Sequence, residues 1–215
     1  MEVTPSALAV DPGRLASMAV HLTNDGPEAC DVAVELPAGG RDWSWVHPES
    51  CSVGPGAEVV ATVFFKPAQG AHPPAGQHTV IIVARATGGS SAEARDEATV
   101  EVGPFVDAAG HLHPMVAYDP MGHDYTFSLE NQGNVPITAT LGTDDPSGEL
   151  KVDVAPRAVS AAPGETASAV VSVQARKKRK KGEHTYRVCV LAQVEGGSEL
   201  RVEGAFRQQG VKARK

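Results

Sequence analysis

The sequence predicts an all-β fold made of two similar antiparallel β-sandwiches in tandem. Three observations lead to this prediction. Short motifs recur about 107 residues apart, apolar and polar residues alternate with a period of two, and 22 glycines and 16 prolines separate the apolar runs. An internal repeat determines the fold and the number of domains together. Alternation with a period of two is typical of half-buried strands, and glycine and proline are typical of the turns between them.

The repeat is carried by turn residues and by single prolines. Residues shared by the two copies are candidates for the structural framework, whereas residues found in one copy only are where function can diverge. The matching segments are Asn24-Asp25-Gly26 with Asn131-Gln132-Gly133, Pro48 with Pro156, Pro55-Gly56 with Pro163-Gly164, and Gly76-Gln77-His78-Thr79 with Gly182-Glu183-His184-Thr185.

The strands of the first copy follow one another as alternating apolar triplets or quartets. An Asn-x-Gly turn follows the first group, and a Pro-Gly turn precedes the third. In chain order, the groups are Met18, Val20, Leu22; Val32, Val34, Leu36; Val59, Ala61, Val63, Phe65; Val80, Ile82, Ala84; and Val100, Val102.

The second copy offers the same series. Its groups are Tyr125, Phe127, Leu129; Ile137, Ala139, Leu141; Ala167, Ala169, Val171, Val173; Tyr186, Val188, Val190; and Leu200, Val202. No segment shows the apolar spacing of three and four that indicates a helix, so we expect almost no helix. About seven short strands per copy, with turns roughly every 8–12 residues, are typical of an immunoglobulin-like sandwich.

The domain boundary is expected at Gly103-Pro104-Phe105, where the last strand of the first copy runs into the second without a flexible tether. The predicted domains are residues 1–104 and 105–209, followed by a basic C-terminal tail, residues 210–215. Because the joint is short and contains proline, which restricts its own φ, we expect a stiff connection.

Charge is divided unevenly between the two copies. Residues 1–104 carry 5 basic and 13 acidic residues, a net charge of −8, whereas residues 105–215 carry 14 and 13, a net charge of +1. No stretch approaches the roughly 20 apolar residues of a membrane-spanning helix, and the N-terminus has no signal-like apolar region. As written, we expect a soluble, unexported cytoplasmic protein, or a soluble part of a membrane-associated one.

The first copy carries a set of turn and core motifs, namely Pro12-Gly13, Asn24-x-Gly26, Leu36-Pro37, Trp43, Pro48, Val53-x-Pro55-Gly56 and Ala75-Gly76. This set resembles the immunoglobulin-like accessory domains found beside bacterial glycosidases. Because the motifs are mostly turns and core positions, the resemblance implies the fold.

The second copy carries a narrower set of motifs, namely Val100-Glu101-Val102-x-Pro104-Phe105, Asn131-x-Gly133-Asn134-x-Pro136, Asp145-Pro146-x-Gly148-x-Leu150, Pro163-Gly164 and Gly204-x-Phe206-x-Gln208. This set resembles the tandem immunoglobulin-like regions of actinobacterial multi-domain membrane proteins labelled hydrolytic or uncharacterized. Some relatives are linked to contractile injection machinery, which implies a role as an accessory of such a particle.

A run of six basic residues is the largest difference between the copies. Where the first copy has residues 69–74, the second has Arg176, Lys177, Lys178, Arg179, Lys180 and Lys181. Charges this dense repel one another and stay solvated, so the run is expected to be a loop between strands. The first interpretation is a solvated connection, and the alternative is a candidate site for an acidic protein partner. Because no aromatic residue is interleaved for base stacking, the pattern argues against nucleic acid.

Trp43 and Trp45 are the candidates for a different function. Two residues apart on one strand, they are expected to share a face, with Arg41 nearby, and a pair of exposed indoles can stack on a sugar. The alternative is that one of them closes the end of the core, since the second copy has neither.

The cysteines and histidines give no firm chemistry. Cys30 and Cys51 align with apolar residues of the second copy and, like Cys189, are expected to be reduced core thiols. The alternative is a Cys30–Cys51 disulfide.

Histidines 111, 113 and 123 have a spacing that could hold zinc, but no carboxylate is placed to orient them, so we expect no metal ion and no cofactor. His78 and His184, shared by the repeat, are expected to make framework hydrogen bonds.

No motif of a known catalytic type is present. The sequence therefore predicts a non-catalytic bacterial structural or adaptor protein that binds or spaces protein partners, in or beside a larger assembly. The alternative is a glycan-binding accessory module.

Overall fold

A computed structural model describes residues 1–38, 42–87 and 92–210 of the chain, which contain eighteen β-strands and no helix. The chain divides into two compact units, the first ending at Phe105 and the second beginning at Val106. Each unit is a sandwich of a four-stranded and a five-stranded sheet. The predicted fold class, two tandem immunoglobulin-like sandwiches, is confirmed. The described part of the chain holds no helix with the length and apolar character of a membrane span.

The first unit contains nine strands. The strand order is β1-β3-β7-β5 in one sheet and β2-β9-β8-β4-β6 in the other, with β2 parallel to β9 and the remaining pairs antiparallel. The strands are β1 (Glu2–Thr4), β2 (Ala7–Val10), β3 (Ala16–Thr23), β4 (Cys30–Ala38), β5 (Ser44–His47), β6 (Ser50–Val53), β7 (Glu58–Phe65), β8 (Gly76–Thr87) and β9 (Glu93–Val102).

The second unit repeats this topology strand for strand. Its sheets have the orders β10-β12-β16-β14 and β11-β18-β17-β13-β15, again with one parallel pair, β11 and β18. The strands are β10 (Ala108–His113), β11 (Val116–Asp119), β12 (Gly122–Asn131), β13 (Ile137–Asp144), β14 (Leu150–Ala155), β15 (Ala158–Ala161), β16 (Thr166–Ala175), β17 (Glu183–Val194) and β18 (Glu199–Gln209).

The repeated asparagine explains why the Asn-x-Gly and Pro-Gly motifs recur together. The Asn131 amide donates to the carbonyls of Val135 and Ala161, at 2.8 and 3.0 Å, and its side-chain oxygen accepts from Gly133 N. Its backbone carbonyl accepts from Gly164 N, the glycine of the Pro-Gly turn. Asn131 therefore connects two turns and two strands through hydrogen bonds. Its buried side-chain nitrogen and oxygen both have hydrogen-bond partners.

Asn24 makes the same set of bonds in the first unit. Its amide donates to the carbonyls of Glu28 and Val53, its side-chain oxygen accepts from Gly26 N, and its backbone carbonyl accepts from Gly56 N. Gly56 has a φ of +65° and its counterpart Gly164 one of +75°, a conformation that favours glycine. The recurring motifs are thus one hydrogen-bonded framework built twice.

Pro48 and Pro156 mark another shared point. Each lies between two strands of different sheets, β5 and β6 or β14 and β15, and each follows a cis peptide bond. Pro5 and Pro114 occupy the corresponding crossovers between β1 and β2 and between β10 and β11, also after cis bonds. The sequence comparison found the first pair of prolines and missed the second.

The match of His78 with His184 is wrong in register. Cys30 pairs with Val53 as Ile137 pairs with Ala161, so Val34, four residues after Cys30, corresponds to Leu141. Val34 lies opposite Ala84 and Leu141 opposite Ala192, which makes Ala192 the counterpart of Ala84. Counting back along β8 and β17, His78 corresponds to Tyr186, two residues beyond His184. A shift of two residues preserves the alternation of buried and exposed positions, so the pattern alone could not reveal it.

The Asp145-Pro146-x-Gly148-x-Leu150 motif is a turn held by one carboxylate. Asp145 accepts from the backbone N–H groups of Ser147 and Leu150, at 3.0 and 2.8 Å, and from Ser147 Oγ. Partial burial opposes ionisation, but these hydrogen bonds outweigh it and hold the pKa of Asp145 below its usual value. The motif quoted for the family resemblance is therefore structural.

Candidate functional site

The basic loop, residues 176–181, joins β16 to β17 in the second unit. The loop is fixed to the sandwich from below by Gln208, which is fully buried. Gln208 Nε2 donates to the carbonyls of Lys177 and Pro120, at 2.9 and 3.0 Å, and Oε1 accepts from the Tyr186 hydroxyl at 3.2 Å. The backbone of the loop is thus tied to the core at Lys177, which differs from the simple protruding loop expected from the charge pattern.

The two arginines of the loop serve the structure. Arg176 Nε donates to the carbonyl of Leu150 at 2.7 Å. Arg179 donates to the Tyr186 hydroxyl at 3.3 Å, its guanidinium carbon lies 5.8 Å from the centre of the Tyr186 ring, and it pairs with Glu149 at 3.4 Å. The hydrogen bond to Tyr186 is the main reason why the pKa of Arg179 is raised. Both arginines therefore bond to groups of their own unit.

The four lysines behave differently. Lys177, Lys178, Lys180 and Lys181 are exposed, and the described residues contain no ion pair to any of them. Four like charges on a loop of fixed backbone give the second unit a local positive field. The six predicted residues thus divide into two anchors and four solvent-facing cations.

The corresponding segment of the first unit has no such charge. The chain just before it is held by a bond from Gly13 N to the carbonyl of Pro67, and Pro73 within the segment is buried. His78 Nε2 lies 2.8 Å from the carbonyl of Pro74, in line with the expected framework hydrogen bond. The exposed His184 instead packs edge-on against Tyr186, with ring centres 4.5 Å apart.

The two tryptophans do not present one surface. Trp43 packs against the core, its ring centre 5.8 Å from that of the buried Phe65 and 5.6 Å from that of His78. Trp45 stacks on Phe64, with ring centres 5.4 Å apart, and is 45% exposed. Because Phe64 and Phe65 are consecutive residues of β7, their side chains point to opposite faces. The expectation of a shared face is therefore wrong for the rings, and Arg41 lies outside the described residues.

The three cysteines are free thiols. On neighbouring strands, Cys30 lies opposite Val53 and Cys51 opposite Val32, so the two face different partners and the disulfide is not formed. Cys30 and Cys51 are only half-buried, whereas Cys189 is fully buried. Burial raises the pKa of the Cys51 and Cys189 thiols, which lowers their thiolate fraction at neutral pH.

The three histidines considered as zinc ligands, His111, His113 and His123, do not come together at one site. His111 and His113 are exposed on β10, and His111 Nε2 lies 3.9 Å from Glu130. His123 packs edge-on against Tyr125 at the start of β12. Within residues 1–38, 42–87 and 92–210, no three His, Cys, Asp or Glu side chains are grouped as a metal site requires.

Gln208 and Tyr186 are the functional-site residues that sequence reasoning missed. Gln208 was visible as the last residue of the Gly204-x-Phe206-x-Gln208 motif, and its strand alternation placed it on the same side as the fully buried Phe206. A buried glutamine requires hydrogen-bond partners. Those partners come from segments 31 and 88 residues away along the chain, which the sequence does not reveal.

No protein-family model and no curated protein matches this sequence. Among solved structures it is similar to mouse cadherin-23 EC22-24, at 12% identity, covering 85% of this chain and 53% of that chain, with a TM-score of 0.46. It is also similar to the CupB2 chaperone of Pseudomonas aeruginosa (9% identity, 95% and 100% covered, TM-score 0.35) and to the D0-D1 domain of intimin (12% identity, 95% of each chain, TM-score 0.34). At these identities the likeness concerns the fold alone.

Proposed function

We propose that this chain is a non-catalytic adaptor or structural protein whose second unit binds an acidic protein surface through the basic loop. The observation that carries the proposal is the different placement of the arginines and the lysines within the loop. Two arginines and Gln208 hold the loop, and four lysines face solvent without an ion pair among the described residues. A solvated connection would not need a buried glutamine to position it.

The anchoring matters for binding because an ordered loop loses less conformational entropy when a partner arrives. The carbonyl of Lys177 is fixed by Gln208, and Arg179 lies on the ring of Tyr186. The lysine side chains are exposed to solvent, but the backbone from which they extend is held in place. Such a surface favours fast, salt-sensitive association with an acidic partner.

Protein fits this surface better than nucleic acid. Single-stranded nucleic acids are held by exposed aromatic rings on which bases stack. The aromatic ring beside the loop, that of Tyr186, is 4% exposed and is covered by Arg179. The resemblance to tandem immunoglobulin-like regions adds the more specific proposal that the partner belongs to a larger bacterial assembly, such as a contractile injection particle.

The glycan-binding alternative now depends on one residue. Trp45, backed by Phe64, offers a single exposed indole, whereas Trp43 is committed to the core of the first unit. Because a lone stacking surface binds sugars weakly without neighbouring polar groups, the basic loop is the better supported site.

The test uses two matched variants, one with Lys177, Lys178, Lys180 and Lys181 changed to Ser and one with the same four changed to Arg. Polyglutamate serves as a defined acidic polypeptide. Binding is measured by fluorescence anisotropy between roughly 50 and 300 mM salt, a range over which screening shortens sharply. We expect the Ser variant to bind about tenfold more weakly, the Arg variant to bind like the wild type, and both to unfold within about 0.5 kcal/mol of it.

Two results would contradict the proposal. One is equal binding by the wild type and the Ser variant, which would make the loop a solvated connection. The other is binding of single-stranded DNA more tightly than polyglutamate at equal salt, which would assign the loop to nucleic acid.

A further inference from the structure

The strand β11 of the second unit is the outermost strand of its five-stranded sheet, and its exposed side chains are apolar. Among the described residues, β11 pairs with β18 alone. Met115, which precedes the strand, is 72% exposed, and the strand residues Val116 and Tyr118 are 37% and 54% exposed. Natural proteins usually protect such edges with charged side chains, because an unprotected edge pairs with other strands. The β11 edge, residues 115–119, is therefore suited to pairing with a partner strand.

The backbone of the β11 edge directs hydrogen-bonding groups away from the sheet. The carbonyl of Met115 accepts from Ala205 N at 2.8 Å, so it points towards β18. Because successive residues of a strand direct their N–H and C=O groups to opposite sides, Ala117 also faces β18, whereas Val116 and Tyr118 face away from it. No strand of the described residues lies on that side. The main chain thus offers Val116 and Tyr118 to a partner strand.

The first unit has the same edge without the large apolar side chains. Its strand β2 is also outermost and is parallel to β9, as β11 is parallel to β18. The two edges are aligned by counting on from the corresponding prolines, Pro5 and Pro114. The aligned pairs are Ser6 with Met115, Ala7 with Val116, and Ala9 with Tyr118. The large apolar side chains therefore belong to the unit that carries the basic loop.

The segment that follows β11 adjoins the basic loop. The amide of Gln208 donates to the carbonyls of both Pro120 and Lys177, at 3.0 and 2.9 Å. The carbonyl of Met121 accepts from Ala175 N at 2.8 Å, directly before the loop begins. The side chain of Met121 is exposed, so it extends the apolar surface from the β11 edge to the loop. A segment that lies along β11 therefore reaches the side of the basic loop.

Tyr118 is held in position on the outer face of the sheet. The guanidinium carbon of Arg207 lies 5.3 Å from the centre of the Tyr118 ring, and Arg207 Nη1 lies 3.5 Å from a carboxylate oxygen of Glu183. A side chain that is already positioned loses less conformational entropy when a partner binds. Aromatic residues form stabilising cross-strand pairs with aromatic and β-branched residues. A partner strand that carries Phe, Val or Ile beside Tyr118 therefore fits this edge.

We propose that the acidic partner of the basic loop is an extended segment that adds to the β11 edge as a further strand, an inference that rests on the function proposed for that loop. The backbone of the segment bonds to Val116 and Tyr118, and its alternate aromatic or β-branched side chains cover these two residues. Its Asp and Glu residues flank this apolar part and lie against the four loop lysines, which have no ion pair among the described residues. Backbone hydrogen bonds supply affinity in such a complex, and side-chain contacts supply specificity.

A second copy of this chain fits the β11 edge less well than a foreign segment does. The first unit is acidic, but its edge strands do not combine carboxylates with exposed large apolar residues. The strand β1 exposes Glu2 and Thr4, whereas β5 exposes Trp45 and His47 and contains no carboxylate. The proposed occupant is therefore a foreign segment that has both types of residue.

The probe is the peptide Glu-Asp-Val-Thr-Phe-Thr-Val-Asp-Glu, whose two acidic ends allow either strand direction. The control peptide has Ser at the three apolar positions and the same charge. Binding of both peptides to the full chain is measured by calorimetry and by amide chemical shifts. We expect the probe to bind at least about tenfold more tightly than the control, because its side chains cover exposed apolar surface. The shifts should include Val116 and Tyr118 and should spare Ala7 and Ala9 of the first unit.

Two methylated forms of the probe test whether it adds as a strand. One form carries N-methyl groups on the two Thr amides, and the other carries them on the amides of Phe and the second Val. Because alternate N–H groups of an added strand face its neighbour, one form should bind at least about tenfold more weakly than the other. The protein is unchanged in this comparison, so the result does not depend on the folding of a variant.

A variant of the protein gives the second comparison. Met115→Ser with Val116→Ala and Tyr118→Ala copies the edge of the first unit and changes exposed side chains only. We expect the probe to bind this variant within about threefold of the control peptide, because the apolar surface is removed. The control peptide should bind the variant as it binds the wild type, since the lysines remain. Changing the four lysines to Ser should weaken both peptides about tenfold.

The results separate this proposal from the function proposed for the loop. Equal binding of the probe and the control peptide, or of the two methylated forms, would overturn strand addition and leave the function of the loop standing if the control peptide depends on the lysines. A control peptide that ignores the change of the lysines would contradict the function of the loop and this inference with it. Self-association of the chain that is abolished in the edge variant would assign the β11 edge to a second copy, which also overturns the proposal.

Discussion

At the level of single residues, the two framework asparagines, Asn24 and Asn131, show how burial changes the contribution of the same hydrogen bonds to stability. Asn131 is 1% exposed, whereas Asn24, with the same partners, is half-buried. When a buried side chain is removed, its partner carbonyls lose their donors without gaining water. At a half-exposed site, water replaces part of what is lost.

We therefore expect Asn131→Ala to lower the free energy of unfolding by about 2–4 kcal/mol and Asn24→Ala by about 1–2 kcal/mol. Each variant is the matched control for the other, because residue type, turn and partners are the same. Urea unfolding of the full chain gives both values. Equal losses, or a larger loss for Asn24→Ala, would show that burial does not decide the difference.

The residues that the sequence could predict are those whose role is local. Asn-x-Gly and Pro-Gly turns carry their own backbone requirements, so the repeat exposed them. Gln208 was not recognised, because its partners Lys177 and Pro120 are brought to it by the fold. Trp43 was misplaced because it precedes β5, where strand alternation does not yet apply.

At the level of strands, alternation predicted the long central strands and missed the short edge strands. The strands β1, β2, β5 and β6 contain three or four residues each, too few to show a period of two. Together with the five strands that carry the alternating apolar groups, they make nine strands in the first unit, where about seven were expected.

The basic loop connects the long strands β16 and β17, and its order should depend on Gln208. We expect Gln208→Ala to lower the free energy of unfolding by about 2–4 kcal/mol, because it leaves two carbonyls and the Tyr186 hydroxyl without their partner. Hydrogen exchange at residues 176–181 should accelerate at the same time. Gln209→Ala is the control, since Gln209 is the exposed residue next to it. Unchanged exchange in the Gln208 variant would show that other contacts hold the loop.

At the level of the whole chain, the two units share a topology, but their cores differ in the number of buried apolar and aromatic residues. The described core of the second unit contains 22 buried apolar residues, among them Tyr125, Phe127, Tyr186 and Phe206. That of the first unit contains 17, with Phe65 as its one buried aromatic residue. Aromatic rings bury the largest areas, so more apolar surface is removed from water in the second unit.

The unequal cores predict unequal stability. We expect residues 1–105 and residues 106–210, expressed separately, each to fold, and the second to melt at least about 5 °C higher, a difference that about 1 kcal/mol produces in domains of this size. Differential scanning calorimetry of the two fragments and of the full chain measures this order. A higher melting temperature for residues 1–105 would show that the size of the core does not set the order of stability.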